Sequence, residues 1–375
     1  MKFKILLQVR SDSKRLPFKC FLLIKNIPAI IYLYKRIAPL KKNLIVLTSN
    51  DSSDSYLRFI LKQYKINFFN GSLHNVKKRF LDSTVNMKDK DIIVRLTGDN
   101  LMVNSKLILE CLKIFQSQQD DYMYIDPKES NVPYGLSVEI FKLKLLREDS
   151  LNSKLSKEHV THNFNKTNNT LNIKNIFTKR MDIFRCSFDY LEDYFFLKKK
   201  LNNHNIKSDW KILCKSLSKY KINKKNNLNF SIKKTSELTI KEKDKIFKIK
   251  KTFWKYSLKS QKSFFLSTYK LNDSHVLLFN GVNLIGYNCL RFCRSMKDKY
   301  IILDTFVVSP KYYKKGISNI LLAKSMNEII SSKLSAYLYA NKNSIFLYKK
   351  FNWKVSKNYQ LLKKKPFTSL MKFVT

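Results

Sequence analysis

The segment Phe3-Lys4-Ile5-Leu6-Leu7-Gln8-Val9-Arg10-Ser11-Asp12-Ser13-Lys14-Arg15-Leu16-Pro17-Phe18-Lys19 decides how the first half of the chain is read. Its apolar opening, from Phe3 to Val9, suits a strand buried on both faces of a parallel sheet. Arg10, Lys14, Arg15 and Lys19 then place four cations within ten residues. Open α/β sheets bind ligands beyond the carboxyl ends of their strands. Arginine and lysine at that point can hold a triphosphate and stabilise departing pyrophosphate. From the charge cluster alone, an exposed basic turn is an equal alternative.

Leu44 to Leu47 and Asp91 to Val94 are two more apolar runs. Tyr56, Leu57, Ile60 and Leu61 carry helical spacing within Ser53 to Tyr64, as do Leu107, Ile108, Cys111 and Leu112 within Ser105 to Phe115. Strands alternating with helices predict a parallel sheet covered on both faces. Lysine and asparagine dominate Lys215 to Lys234, which reads as a solvated connector. The expected division is residues 1–215, a linker at 216–229, and a second domain at 230–375. In that second part, Val276 to Phe279, Asn280-Gly281 and Val282 to Leu290 spell a hairpin turning at Asn-Gly. A strand from Tyr300 to Val308, a helix from Gly316, a strand from Ala336 to Ala340 and a short helix from Ser344 to Phe351 follow.

A length of 375 residues suits about two domains. With 44% hydrophobic and 13% aromatic residues, the chain is not expected to be disordered. No apolar run reaches the ~18 residues of a membrane span, and the apolar stretch at the N-terminus is too short for a signal peptide. The six cysteines have no C-x-x-C pair, which argues against a zinc site or disulfide framework and fits a cytoplasmic location. The formal charge of +45, from 73 Lys+Arg against 28 Asp+Glu, suggests a polyanionic partner when taken alone. The excess is mostly lysine spread along the chain, with only 6 Gly and 7 Pro, a mixture that AT-rich coding produces for any function. Without an accompanying motif, nucleic acid is not the expected partner.

The first half resembles the CTP-dependent cytidylyltransferases, in particular the spore-coat polysaccharide branch similar to CMP-KDO synthetases. The loop matches Q-x-R-x-G-S-x-R-L-P-x-K at Gln8, Arg10, Ser13, Arg15, Leu16, Pro17 and Lys19. Phe69-Asn70-Gly71-Ser72 with Val76 and Arg79, Val94 to Asp99, and Gly135-Leu136 with Glu139 and Phe141 follow the family's order. Glu158-His159-Val160-Thr161 and Arg185 with Asp189 and Asp193 complete it. The resemblance covers most of residues 1 to 200 and implies a Rossmann-like nucleotide-diphospho-sugar transferase fold. It also implies transfer of CMP from CTP to an acidic sugar, with pyrophosphate leaving. Asp99 and Asp189 would ligate Mg2+; Arg10, Arg15 and Lys19 would grip the triphosphate. Gln8, Ser13, Arg95, Glu139 and His159 would bind substrate. The alternatives are a turn residue for Asp99, a helix N-cap for Asp189 and a core histidine for His159. Two family glycines are replaced by Asp12 and Phe18, a proline by Asn100-Leu101, and an aspartate by Tyr134.

From roughly residue 230 to 357 the chain resembles GNAT acetyltransferases, implying a second α/β fold that uses acetyl-CoA. Val308, Pro310 and Gly316 keep the V-x-P and Q/R-x-x-G-x-G/A signature, with Tyr313 and Ser318 replacing two of its positions. A loop opening a helix presents free N–H groups to an anion, and Lys311, Lys314 and Lys315 add charge. Asn341 to Trp353 is similar to N-x-x-A-x-x-L-Y-x-x-x-G-F, with Asn352-Trp353 in place of Gly-Phe. By that resemblance Asn341 contacts the pantetheine and Tyr348 protonates the CoA thiolate. Asp304 is the candidate base for the acceptor amine; its alternative is a plain strand residue. The expected enzyme is bifunctional, acting on CTP and an acidic sugar and on an amino sugar or sugar nucleotide, with a homodimer left open. The competing expectations are an acetyltransferase with a degenerate sugar-nucleotide-binding first domain, and an RNA-associated acetyltransferase.

Overall fold

A computed structural model describes residues 2–118, 120–148, 160–161, 164, 177, 179–222, 227–296, 298–356 and 368–374. The chain divides into two compact units: Met1–Asp12 with Leu23–Asn223, and Ser13–Leu22 with Lys224–Thr375. The second part of the basic loop therefore groups with the second unit.

The first unit contains strands β1 (Phe3–Gln8), β2 (Leu23–Ile24), β3 (Ile27–Pro28), β4 (Leu44–Ser49) and β5 (Phe68–Gly71). It continues with β6 (Ile92–Thr97), β7 (Tyr122–Tyr124) and β8 (Glu139–Lys142). Its helices are α1 (Ala29–Ile37), α2 (Ser55–Gln63), α3 (Val76–Asp82), α4 (Ser105–Ser117), α5 (Leu143–Glu148), α6 (Leu191–Asn202) and α7 (Trp210–Lys215). The main sheet runs β5-β4-β1-β6-β8-β7. The first four strands pair in parallel, but β8 is antiparallel to both β6 and β7. The sheet is thus mixed where the strand-helix alternation predicts an all-parallel one.

Both faces of this sheet are covered. Leu6, Leu47, Ile93 and Phe141 pack with Val76 and Phe80 of α3 and with Leu143 and Leu146 of α5. On the other face Ile5, Leu7, Val46 and Val94 are equally buried. Helix starts are fixed by side chains: Asn75 accepts from the Lys78 N–H, and Asn104 from the Leu107 N–H. Arg36, buried on α1, donates to the carbonyls of Met102, Val103, Ile206 and Ser208 and so ties distant loops to the sheet.

The second unit contains β9 (Leu228–Lys234), β10 (Ser274–Asn280), β11 (Asn283–Arg294), β12 (Lys299–Val308), β13 (Ser335–Asn341), β14 (Lys354–Val355) and β15 (Thr368–Phe373). Its helices are α8 (Ile240–Phe253), α9 (Leu258–Thr268), α10 (Ile317–Ser332) and α11 (Ile345–Lys349). The sheet runs β14-β15-β13-β12-β11-β10-β9. All its pairs are antiparallel except β12 with β13. The hairpin turns one residue later than its sequence suggests. Asn280 pairs with Asn283, leaving Gly281-Val282 as the loop, with the positive φ carried by Gly281. Helix α8 begins with a reciprocal cap between Thr239 and Glu242. Its Ile246, Phe247 and Ile249 join Phe265 of α9 over Leu277, Tyr287 and Val307. Among the described residues, no helix is long and apolar enough to cross a membrane.

Candidate active sites

In the first unit the carboxyl ends of β1 and β6 and the amino end of the antiparallel β8 bring three of the expected substrate residues together. Arg95 lies opposite Glu139 in the β6–β8 register, and their side chains form an ion pair at 2.6 Å. Arg95 also donates to the Gln8 amide oxygen at 3.5 Å, and Thr161 donates to the other Glu139 oxygen at 2.8 Å. Tyr122 lines the same cluster. Burial, and then the Glu139 charge, raise its hydroxyl above the usual tyrosine range. The Arg95 Nε remains buried without a partner, so this polar cluster keeps one donor in reserve. His159 lies outside the described residues.

Asp99 follows β6 in a turn closed by Asn100 N–H to Thr97 O, and accepts from the Thr97 hydroxyl at 2.6 Å. Asp189 precedes α6. Arg185 donates to it at 2.9 Å and to Asp193 at 3.0 Å, while Asp193 accepts the N–H groups of Asp189 and Tyr190. The N-cap position is therefore Tyr190, whose N–H is accepted by Asp193 from inside the first turn, and not Asp189. Two tethers lead from these aspartates to the Gly135 loop. Asn100 donates to Ser137 O, and Gly135, at φ 98°, approaches Ser187 so closely that a Cβ would sit 2.5 Å from its nitrogen. Only glycine fits there. Tyr134, which replaces a family aspartate, faces the Arg185 guanidinium at 5.1 Å. Among the described residues no three His, Cys, Asp or Glu side chains gather as a metal cluster. Two hard carboxylates suit a magnesium ion completed by phosphate oxygens and water.

The loop after β1 has an anchor that sequence reading missed. Asp54 is fully buried; one oxygen accepts the Ser11 N–H at 2.7 Å. The other accepts the Thr48 hydroxyl and both the N–H and hydroxyl of Ser49. Arg10, beside Ser11, lies close enough to disfavour the charge of buried Arg79. Arg79 itself donates to the carbonyls of Ser72 and Leu73. Ser13, Arg15 and Lys19 lie in the segment that groups with the second unit. Phe18, standing where the family has glycine, adopts that residue's left-handed conformation, with φ 57°.

The second unit holds a cleft of about 1010 Å³ lined by Asp304, Val308, Lys314, Ser318, Asn341 and Tyr348. Lys311, Lys315 and Gly316 are not part of its lining. The cleft opens because β12 and β13 pair only from Tyr300 to Ile302 and then part, leaving facing strand edges. Such edges carry unmet N–H and C=O groups that an extended chain with amides can join. Gly316 caps α10 at φ 74°, and Lys314 before it is at φ 60°. The N–H groups opening α10 lack acceptors within the helix and suit an anion.

At the cleft, Tyr348 is buried between Phe306 and Trp353, and burial pushes its hydroxyl well above the ordinary tyrosine range. Asp304 pairs with Arg291 at 3.3 Å and accepts from the Thr305 hydroxyl. Thr305 has φ 53° in a bulge where Thr305 and Phe306 oppose the single residue Asn288. A β-branched residue there is strained, and its surroundings must hold it. The hydroxyl contacts Tyr269 at 2.7 Å; Tyr269 bonds Tyr287, and Tyr287 bonds His275 at 2.8 Å. His275 reaches Thr235, the residue after β9, with its other nitrogen, so a buried polar chain runs from Thr235 to Asp304. Burial holds its imidazole neutral, with a pKa lowered to about 4.

A cytidylyltransferase family model matches residues 4–202, and an acetyltransferase (GNAT) family model matches residues 244–353. The chain belongs to the cytidylyltransferase family, and a GNAT acetyltransferase domain follows in the same polypeptide. It is 28% identical over 165 residues to the spore coat polysaccharide biosynthesis protein SpsF of Bacillus subtilis, covering 42% of this chain and 67% of that protein. An uncharacterized protein of Methanocaldococcus jannaschii is 30% identical over 165 residues, covering 43% of this chain and 66% of the relative. The matches thus span about two thirds of these relatives' lengths. The structure of a cytidylyltransferase from Leptospira borgpetersenii superposes with a TM-score of 0.52 at 26% identity. It covers 57% of this chain and 93% of that one.

Proposed function

We propose that the first unit activates an acidic sugar as its CMP derivative and that the second acetylates an amino group on an amino sugar or sugar nucleotide. The spore-coat polysaccharide relative supports placing both reactions in surface-glycan synthesis. The observation that carries the reading is the Gln8–Arg95–Glu139–Thr161 cluster at the carboxyl ends of β1 and β6 and the amino end of antiparallel β8, close to motif residue Asp99. A sugar hydroxyl attacks the α-phosphorus of CTP, the bond to the β-phosphate oxygen breaks, and pyrophosphate departs. Arg10 binds the triphosphate. Arg15 and Lys19 are assigned the same task on their motif positions alone. Asp99 and Asp189 would hold the magnesium ion, which when bound screens the phosphate charge. Arg95 orients the sugar acid, held in place by Glu139.

In the second unit the acceptor nitrogen attacks the thioester carbonyl and the CoA sulfur leaves. The buried Tyr348 hydroxyl gives the sulfur its proton, and Asp304 takes the proton from the amine. Asn341 and the parted edges of β12 and β13 hold the pantetheine arm. Lys314 and the start of α10 receive the pyrophosphate of CoA.

The test is to supply CTP, Mg2+ and a panel of ulosonic and nonulosonic acids and to measure pyrophosphate. Release that depends on one of the acids supports the first half. Binding of CTP without turnover across the panel would favour a sugar-nucleotide binder coupled to an active acetyltransferase. Phe18 in its left-handed conformation and the Arg185 contact to Asp189 are the observations that lean that way.

A further inference from the structure

We infer that the acyl acceptor of the second unit carries an anionic group, a carboxylate or a phosphate, and that the Lys250 ammonium receives it inside the cleft. The inference rests on the acetyltransferase reading above and narrows its substrate.

Lys250 lies on α8, one residue beyond Ile249 on the face that packs over the sheet, and is 3% exposed. Its side chain lines the cleft together with Phe264, Arg291 and Asp304. Its Nζ is buried and makes no hydrogen bond. The ammonium rests instead on aromatic faces, 4.5 Å from the centre of Phe264 and 5.8 Å from that of Tyr269. Such contacts return only part of what burying an ion costs. Asp304 acts on Lys250 through space, but Asp304 is already engaged by Arg291 and Thr305. Burial accordingly lowers the Lys250 pKa. A methionine at this point of α8 would pack against the same rings at no electrostatic cost. An ammonium with three unused donors at a cavity wall calls for an acceptor that arrives from the cavity.

The charge of the acceptor points the same way. An amine that enters as an ammonium meets Lys250 and Arg291 beside Asp304, the one carboxylate among the described residues lining the cleft. Arg291 also keeps a buried Nε with no partner. A substrate bearing only a positive charge is repelled there. One that brings its own anion is neutralised by Lys250 while its amine lies against Asp304.

The experiment uses the full chain saturated with CoA and measures binding of three amino sugars by calorimetry. Glucosamine has no anion, glucosamine 6-phosphate has a phosphate, and muramic acid has a carboxylate. At least one anionic probe should bind tenfold or more tighter than glucosamine. Lys250→Met should remove that preference without weakening glucosamine binding, and Lys250→Arg should retain it. The arm that responds identifies phosphate or carboxylate as the group recognised. Equal binding of all three probes, no binding of either anionic probe, or a preference that survives in Lys250→Met would each overturn the inference while leaving the acetyltransferase reading intact. Failure to bind CoA overturns both. A melting curve of Lys250→Met confirms that it is folded, and Lys250→Arg keeps the test decisive should it not be.

Discussion

Replacing Asp54 by asparagine should loosen the loop after β1 and weaken CTP binding, although Asp54 itself never meets the nucleotide. The carboxylate accepts four hydrogen bonds and is fully buried. An amide of the same shape can keep its oxygen toward Thr48 and Ser49, but its NH2 then faces the Ser11 N–H, donor against donor. Losing one bond to a charged group and leaving a buried N–H unmet costs about 3 kcal/mol. For a unit of this size that lowers the melting temperature by roughly 6–12 °C. Freeing the backbone at Ser11 also removes an ordered support beside Arg10. Fixing one residue again on binding costs about 1–2 kcal/mol, which corresponds to roughly tenfold weaker CTP affinity. Scanning calorimetry reads the first effect and isothermal titration with CTP and Mg2+ the second. A melting temperature within about 2 °C of the parent would refute the anchoring role. A lowered melting temperature with unchanged CTP affinity would refute the link to nucleotide binding.

Tyr348→Phe removes the proposed acid and should lower kcat for acetyl transfer by about a hundredfold, with acetyl-CoA affinity changed less than threefold. Because burial raises that hydroxyl, the parent rate should show no alkaline loss from its ionisation below about pH 10. His275 has its pKa lowered from 6.5 to about 4, so between those values the unfolded chain binds more protons than the folded one. The second unit should then lose roughly 2–3 kcal/mol as pH falls from 6.5 to 4. Denaturant melts at pH 7 and pH 5 read this, and a flat profile would contradict a neutral buried imidazole. Asn352 occupies a left-handed conformation at φ 65°. Asn352→Gly should change stability by less than about 0.5 kcal/mol, while Asn352→Val should cost about 2, as thermal melts of the pair would show.

The sequence carried the architecture where residue type and spacing are dictated by backbone chemistry. Phe3 to Val9 became a central strand, and the periodic runs at Tyr56 to Leu61 and Leu107 to Leu112 became buried helix faces. Replacement of a family glycine by Asn352 is explained once its positive φ is known, because asparagine tolerates that region better than most residues. Phe18 holds the same conformation without that advantage. The direction of β8 was not legible, since alternation of strands and helices does not record which way a strand crosses the sheet. The hairpin moved by one position because the glycine alone satisfies the loop's positive φ, leaving Asn280 to pair in the strand.

The residues that hold the sites in place were harder to read than those that touch ligands. Asp54 sits in a run of serines and aspartates where any member could cap a turn, and only long-range contacts to Ser11 and Thr48 set it apart. His275, Tyr287, Tyr269 and Thr305 form a chain across separate elements that no local spacing reveals. Lys250 did leave a trace. It falls on the apolar face of α8, three residues after Phe247 and four after Ile246. A charge on an otherwise buried stripe is a signal, lost here among 73 basic residues.

A crystal structure of the full chain grown with CTP, Mg2+ and CoA tests the two-transferase reading most directly. Triphosphate density against Arg10, a cation bound by both Asp99 and Asp189, and pantetheine between β12 and β13 are the expected result. A cation held by neither aspartate, or a nucleotide bound away from the carboxyl ends of β1 and β6, would contradict it.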